Sequence, residues 1–283
     1  MTRRPFSAPC AVLPGVVLTL AVSTSVVART SDDDDAKLRQ AEPDFVIVNL
    51  PTTLPLPKGA GNFHLTHRFN ENLRHDDLGD QFANLFGLDN GANIGLEFRY
   101  GVAKHLEAIV QRTSISKAVQ LTAKYDGWHE EAAQPFGLSV LVSIEGENNF
   151  HNSNSGRANF APSLGFVISR AAVNDRIAVY AMPFWVHSTG IGSDSGRNTG
   201  FLGLGGRVRI LDTTYLIGEA SPRIGGLVVL DDPLYGFGIE KRVGGHVFSL
   251  TFTNRAATTF RQMATGGTPG NLNLGFNLTR KFF

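Results

Sequence analysis

Hydrophobic and polar residues alternate along most of the chain, in segments of about ten residues that begin at Gly61. The clearest segment is HVFSLTFTN at 246–254, in which Phe, Leu and Phe alternate with Ser, Thr and Thr. Successive side chains of a β-strand point to opposite faces, so this pattern predicts strands with one apolar and one polar face. The polar face repeatedly carries charged residues, as in IGLEFRY at 94–100.

Twelve such strands are predicted. Their length of about ten residues is what a tilted strand needs to cross a bilayer, whereas the strands of a soluble β-sandwich are usually shorter. The predicted strands are 61–70, 92–101, 104–113, 117–126, 136–146, 158–169, 176–187, 199–210, 214–221, 234–242, 245–254 and 271–283.

The connections between these strands are alternately short and long. Short turns follow the second, sixth, eighth and tenth strands, and long connections follow the first, fifth, seventh, ninth and eleventh; ISK after the third and GWHEEAAQP after the fourth break the pattern. Short periplasmic turns and long outer loops are typical of outer-membrane barrels. We therefore predict an all-β fold, a transmembrane antiparallel up-and-down β-barrel of about 12 strands. A further strand at Phe45 to Leu50 would raise the number, within a range of 12 to 14.

The amino end predicts export. Two arginines, an apolar run and a small-residue ending at Ala28 form the layout of a secretory signal peptide over residues 1–28. Residues 29–60, acidic and then proline-rich, are predicted as a periplasmic lead-in to a barrel at 61–283. Cleavage would remove the single cysteine, Cys10, and would lower the formal net charge of +1 by two. The mature chain thus has no thiol for a disulfide or a metal, and no basic excess for a nucleic-acid partner.

Charged residues on the polar faces are candidates to line the lumen. Two arrangements remain open: a water-filled pore for a small solute of unknown identity, and a salt-bridged, nearly closed interior. The candidates are Glu97, Arg99, Glu107, Lys124, Asp126, Glu145, Arg207, Arg209 and Glu240.

The last predicted strand, NLNLGFNLTRKFF, looks like the recognition signal of bacterial outer-membrane barrels. Its apolar positions alternate up to a terminal pair of phenylalanines. The resemblance implies two partners, the barrel-assembly machinery and outer-membrane lipid. The residues of the predicted signal are Leu274, Phe276, Leu278, Phe282 and Phe283.

Five segments carry a family resemblance: HLTHRF at 64–69, LFGLDNGANIGLEFRYG at 85–101, KAVQLTAKY at 117–125, GGHVFSLTFTN at 244–254 and LGFNLTRKF at 274–282. Together they resemble an uncharacterised family of bacterial outer-membrane β-barrel proteins, a domain of unknown function. The resemblance covers about residues 45–283 in matching order. It implies a single barrel in the bacterial outer membrane, and it brings no substrate, reaction or functional residue.

A second resemblance raises an enzymatic alternative. His151, Ser153 and Asn154 look like the His-x-Ser-Asn segment of outer-membrane phospholipases, in which the histidine is the general base and the serine the nucleophile. The asparagine that would orient the histidine is missing from residues 160–173. We therefore predict a non-enzymatic barrel, a small pore or a barrel that presents polar loops, with no cofactor and no metal.

Overall fold

The structure, a computed structural model, describes residues 41–75, 77–83, 85–129, 135–151 and 158–282. They form a single antiparallel sheet of thirteen strands. The strands are β1 (Gly61–Phe69), β2 (Ala92–Ala103), β3 (Leu106–Thr113), β4 (Val119–Trp128), β5 (Gly137–Gly146), β6 (Phe160–Ala172), β7 (Ile177–Val186), β8 (Thr199–Leu211), β9 (Thr214–Ser221), β10 (Arg223–Gly226), β11 (Leu234–Val243), β12 (His246–Thr253) and β13 (Asn273–Phe282).

The sheet closes on itself because β1 pairs with β2 on one side and with β13 on the other. β9 and β10 are interrupted at Pro222, and both pair with β8, so they occupy one position in the ring. Twelve positions result, and the predicted up-and-down barrel is confirmed. The strand ends differ from the predicted bounds by at most three residues.

The two faces of the strands separate as the alternation predicts. In β12, Phe248 and Leu250 each expose 47% of their surface on the outside, whereas Ser249 and Thr251 expose 4% and 0%. A continuous apolar outer surface of this kind is stable only against lipid. Among the residues that the structure describes, no helix has both the length and the apolar character to cross a membrane.

The segment before the first strand lies inside the barrel. Residues 41–60, which we call the plug, are buried over most of their length and contact inward-facing side chains of the wall. This differs from the prediction of a periplasmic lead-in at 29–60, of which residues 29–40 lie outside the described residues. The predicted strand at Phe45 to Leu50 is also absent: a single bridge joins Val46 to Pro51, and Ile47 N donates to Leu50 O at 2.9 Å.

Two short α-helices lie in the described parts of the long connections. α1 (Leu78–Ala83) follows β1 and leaves Phe82 64% exposed, so it belongs to the rim. α2 (Phe260–Ala264) lies in the connection between β12 and β13, and all five of its residues are buried. We call residues 254–267 the inner loop, because this connection folds into the barrel and its helix contacts β6, β7 and β8.

Candidate functional site

The lumen is the candidate functional site, and its wall carries the predicted charged residues. Eight of the nine candidates are buried on inward faces, and Arg209 is partly exposed. The alternation of the strands is sufficient to place them there, because residues two apart share a face. The eight are Glu97, Arg99, Glu107, Lys124, Asp126, Glu145, Arg207 and Glu240.

Five of these residues form one ion-pair cluster on β2, β3 and β4. Lys124 Nζ lies 3.1 Å from Glu107 Oε1 and 2.8 Å from Asp126 Oδ1. Arg99 Nε lies 2.6 Å from Glu97 Oε1, and its Nη1 lies 3.8 Å from Glu107 Oε2. Opposite charges on neighbouring strands thus compensate one another, which a buried charge requires.

A second pair joins β8 to β11 across the intervening β9. Arg207 Nε lies 2.9 Å from Glu240 Oε1, and Arg207 Nη2 donates to Glu240 Oε2 at 3.0 Å. Both side chains are fully buried. A charge-assisted hydrogen bond between a guanidinium and a carboxylate is among the stronger side-chain interactions in proteins.

Glu219 of β9 binds the backbone of the plug at residues 48–50. Its carboxylate accepts hydrogen bonds from the backbone N–H groups of Val48, Asn49 and Leu50, each at 3.0 Å, and from Asn49 Nδ2 at 2.9 Å. Successive backbone N–H groups that converge on one anion form a nest, which binds negative charge well. The carboxylate therefore satisfies donors that would otherwise be buried without a partner.

Other wall residues bind the plug through its backbone. Arg207 Nη2 donates to Val46 O at 2.6 Å, and Lys124 Nζ donates to Leu54 O at 2.7 Å. Leu56 N donates to Glu107 Oε1 at 2.9 Å. Arg207, Lys124 and Glu107 thus contact both charged residues of the wall and the backbone of the plug.

Apolar contacts complete the docking on the side of β7, β8 and β9. Ile47 and Leu50 are fully buried in a cluster that includes inward-facing Met182 and Tyr215. Gly205 of β8 allows this approach, because a Cβ there would lie only 2.3 Å from Ile47 Cδ1. The inward face of β7 to β9 therefore carries apolar side chains as well as Arg207 and Glu219, whereas that of β2 to β4 carries the larger charged cluster.

The inner loop fills the lumen from the other end. Thr259 caps α2 by accepting from Gln262 N, and the Phe260 ring lies 4.5 Å from the Phe184 ring between centroids. Phe260 N donates to Gln120 Oε1 at 2.9 Å, and Gln111 Nε2 donates to Thr258 O at 3.1 Å. The inner loop is thus bound to the wall by hydrogen bonds and by packing.

Little space remains where the plug and the inner loop face each other. A cavity of about 20 Å³ is lined there by Asn49 and Pro51 of the plug and by Thr258 and Phe260 of the inner loop. Such a volume holds about one water molecule. The plug and the inner loop therefore leave almost no space between them at this point of the lumen.

Comparison with known proteins places this arrangement in a family. The model of a family described as a membrane bound beta barrel domain (DUF5777) matches residues 44–282. The chain belongs to this family. The predicted resemblance is thereby confirmed, and the barrel is one of the bacterial outer membrane.

Solved structures with a similar fold are outer-membrane barrels. The COG4313 outer membrane channel from Pseudomonas putida F1 is 14% identical, with 80% of this chain and 97% of that chain covered and a TM-score of 0.51. The NanC porin is 7% identical, with coverages of 78% and 99% and a TM-score of 0.50. The outer membrane phospholipase A from Escherichia coli is 10% identical, with coverages of 78% and 90% and a TM-score of 0.43. A comparison with curated proteins gave no match.

In this family member, sequence reasoning missed several residues that hold the plug. Glu219 lies in TYLIGEAS at 214–221, where residues 215–217 are all apolar, so the local pattern gave no clear signal for its inward direction. Arg68 of β1 donates to Val48 O at 3.3 Å and to Asn49 Oδ1 at 3.2 Å. Neither residue by itself indicates a plug, because the sequence does not show which segment fills the barrel.

Of the two residues behind the enzymatic alternative, His151 and Ser153, the structure describes only His151. Ser153 lies outside the described residues. His151 is exposed in the connection between β5 and β6, and its Nδ1 lies 3.2 Å from the backbone oxygens of Asn148 and Asn149.

The residues of the predicted assembly signal lie on β13, apart from Phe283, which is outside the described residues. Leu274, Phe276, Leu278 and Phe282 occupy outward positions, while Asn273, Asn277 and the other alternate residues are buried. Their role in assembly stays a prediction.

Proposed function

We propose that this barrel is a non-enzymatic pore for a small solute, closed at rest by the plug and opened when the plug leaves the lumen. The observation that carries the proposal is the way in which the plug is attached. It continues into β1 at Gly61, where Gly59 N donates to Gly101 O of β2 at 2.8 Å and Ala60 O accepts from Gly101 N at 3.0 Å. The preceding plug residues contact the wall through hydrogen bonds that involve a side chain and through packing. Its departure therefore breaks no strand pairing of the ring.

The charge of the wall supports an open state. The ion pairs of Lys124 with Glu107 and of Arg207 with Glu240 join wall residues to each other, so they persist when the plug leaves. Water that enters then hydrates charges that are otherwise costly to bury. A lumen wall of this kind tolerates both plug and water.

The apolar contacts support a closed resting state. Ile47, Val48 and Leu50 are fully buried. Burial of each such side chain contributes about 1.5–3 kcal/mol, which opposes their exposure to water in the periplasm. The plug is therefore expected to leave rarely without a further stimulus.

Planar-bilayer conductance tests the proposal. The mature wild type is expected to show rare, brief openings, and a variant lacking residues 41–57 is expected to conduct steadily. Circular dichroism of both proteins in detergent checks that the barrel is retained. A folded deletion variant without conductance at any voltage would favour a structural barrel that presents its loops.

The same preparations test the non-enzymatic part of the proposal. Wild-type protein in detergent with calcium is expected to release no fatty acid from phospholipid. Release that Ser153→Ala abolishes, while Ser155→Ala leaves it unchanged, would establish the hydrolase instead.

A further inference from the structure

Two histidines meet at the end of the barrel that carries the short turns. His105 lies in the turn between β2 and β3, and His129 directly follows β4. β3 pairs with β4, and Asp126 N donates to His105 O at 2.9 Å. The strand pairing therefore fixes both residues side by side, outside the plug and the lumen contacts described above.

The ring nitrogens of the two histidines converge. His129 Nε2 lies 3.0 Å from His105 Nδ1, the ring centroids are 4.9 Å apart, and both residues are half-buried. A neutral imidazole has one nitrogen with a free lone pair, which is the form that binds metals. Two nitrogens bound to one tetrahedral zinc ion at about 2.0–2.1 Å stand about 3.4 Å apart. The ion would therefore replace the hydrogen bond between the two rings, which would separate by about 0.4 Å and turn so that both lone pairs point at it.

The backbone at His105 adopts the conformation of a tight turn. Its φ is +66°, in the left-handed region, where histidine is one of the enriched non-glycine residues. Other non-glycine residues of the described chain, such as Leu85 and Val173, share this conformation, so it places the ring and does not by itself indicate a ligand.

We propose that His105 Nδ1 and His129 Nε2 form a site for a transition-metal ion of the zinc class, with water completing its coordination. Imidazole ligands suit zinc, copper and nickel, whereas calcium and magnesium prefer oxygen. No group of three or more ligating residues is found in the described part of the chain, so the two histidines are the ligands on which the proposal rests. A bound ion ties the turn between β2 and β3 to the end of β4.

Calorimetric titration with zinc chloride tests the site, using the mature protein in detergent without a histidine tag. About one zinc ion per chain is expected to bind, and His105→Asn and His129→Gln are each expected to weaken binding at least about tenfold. Asn tolerates the left-handed turn, so the first variant retains the local backbone. His75→Gln, at the opposite end of the barrel, is the matched control and is expected to bind as the wild type does.

A second measurement needs no substitution. Zinc is expected to protect His105 and His129 of the wild type from modification by diethyl pyrocarbonate, while His75 still reacts. Absence of zinc binding, or binding and protection that do not depend on His105 and His129, would overturn the proposal. Neither result bears on whether the barrel conducts, so the site and the pore are tested separately.

Discussion

Replacement of Glu219 by glutamine is expected to release the plug. The carboxylate accepts from three consecutive backbone N–H groups and from the Asn49 side chain. Glutamine has nearly the same size but only one acceptor oxygen, and its amide group would face N–H donors. The variant therefore loses hydrogen bonds and gains a donor–donor conflict, with little change in packing.

The magnitude follows from these contacts. A hydrogen bond to a charged group contributes about 1.5–3 kcal/mol, and an unsatisfied buried donor costs a similar amount. Because such contributions are not additive, we take a net loss of about 3 kcal/mol in the docking of the plug. Since 1.4 kcal/mol corresponds to a factor of ten, the equilibrium between closed and open barrel shifts about 150-fold towards the open form.

Cysteine labelling reports on this shift directly. The mature chain that we predict has no cysteine, so Val48→Cys introduces a single thiol, which is fully buried in the docked plug. A bulky maleimide is expected to label it slowly in the otherwise wild-type barrel and much faster with Glu219→Gln, and single-channel openings should become longer in parallel.

The matched control is Glu97→Gln, which makes the same change of charge on the inward face of β2. Glu97 pairs with Arg99 at 2.6 Å rather than with the backbone of the plug. Equal labelling rates in both glutamine variants, or no acceleration by Glu219→Gln in a folded barrel, would refute the role assigned to the Glu219 contacts.

Four further variants test other parts of the fold. Arg207→Ala leaves Glu240 buried without its partner and should lower the free energy of unfolding in micelles by about 3–5 kcal/mol; if Glu240→Gln in the same chain restores none of it, the pairing is not the cause. Phe260→Ala should loosen the inner loop by about 3–5 kcal/mol and raise the conductance of the deletion variant, so unchanged conductance contradicts the packing argument. Leu250→Arg on the lipid face should cost about 2–4 kcal/mol near the membrane centre, whereas Leu250→Ala should still insert. Phe282→Ala should lower the amount of barrel assembled in cells without lowering stability in micelles, and normal assembly would count against the predicted signal.

The sequence was sufficient for the barrel because the direction of a side chain on a strand is a local property. VQLTAKYDGW at 119–128 and HVFSLTFT at 246–253 alternate visibly, and each alternation predicts a face without knowledge of any other strand. The inward placement of Glu107, Lys124 and Glu240 follows from the same rule. At the ninth position of the ring, Pro222 separates β9 from β10 because proline lacks the N–H for a ladder hydrogen bond.

The plug was not predictable in this way. Residues 41–60 show no sustained alternation, and Pro51, Pro55 and Pro57 fit an irregular segment anywhere near the barrel. Their position depends on contacts with residues far along the chain, such as Leu50 N with Glu219 and Leu54 O with Lys124. The pairing of His105 with His129 is a similar case, since no metal-ligand spacing connects them.

The sequence by itself therefore determined the length and facing of the strands and a number near twelve, because period-two alternation and bilayer thickness act on each strand separately. Only the tertiary structure decided between an open and a filled lumen. Closing twelve strands creates an interior whose charges and backbone groups need partners, and those partners come from residues 41–60 and 254–267. Many long-range contacts together decide which segments of the chain fold into the lumen. A local sequence pattern does not contain this information.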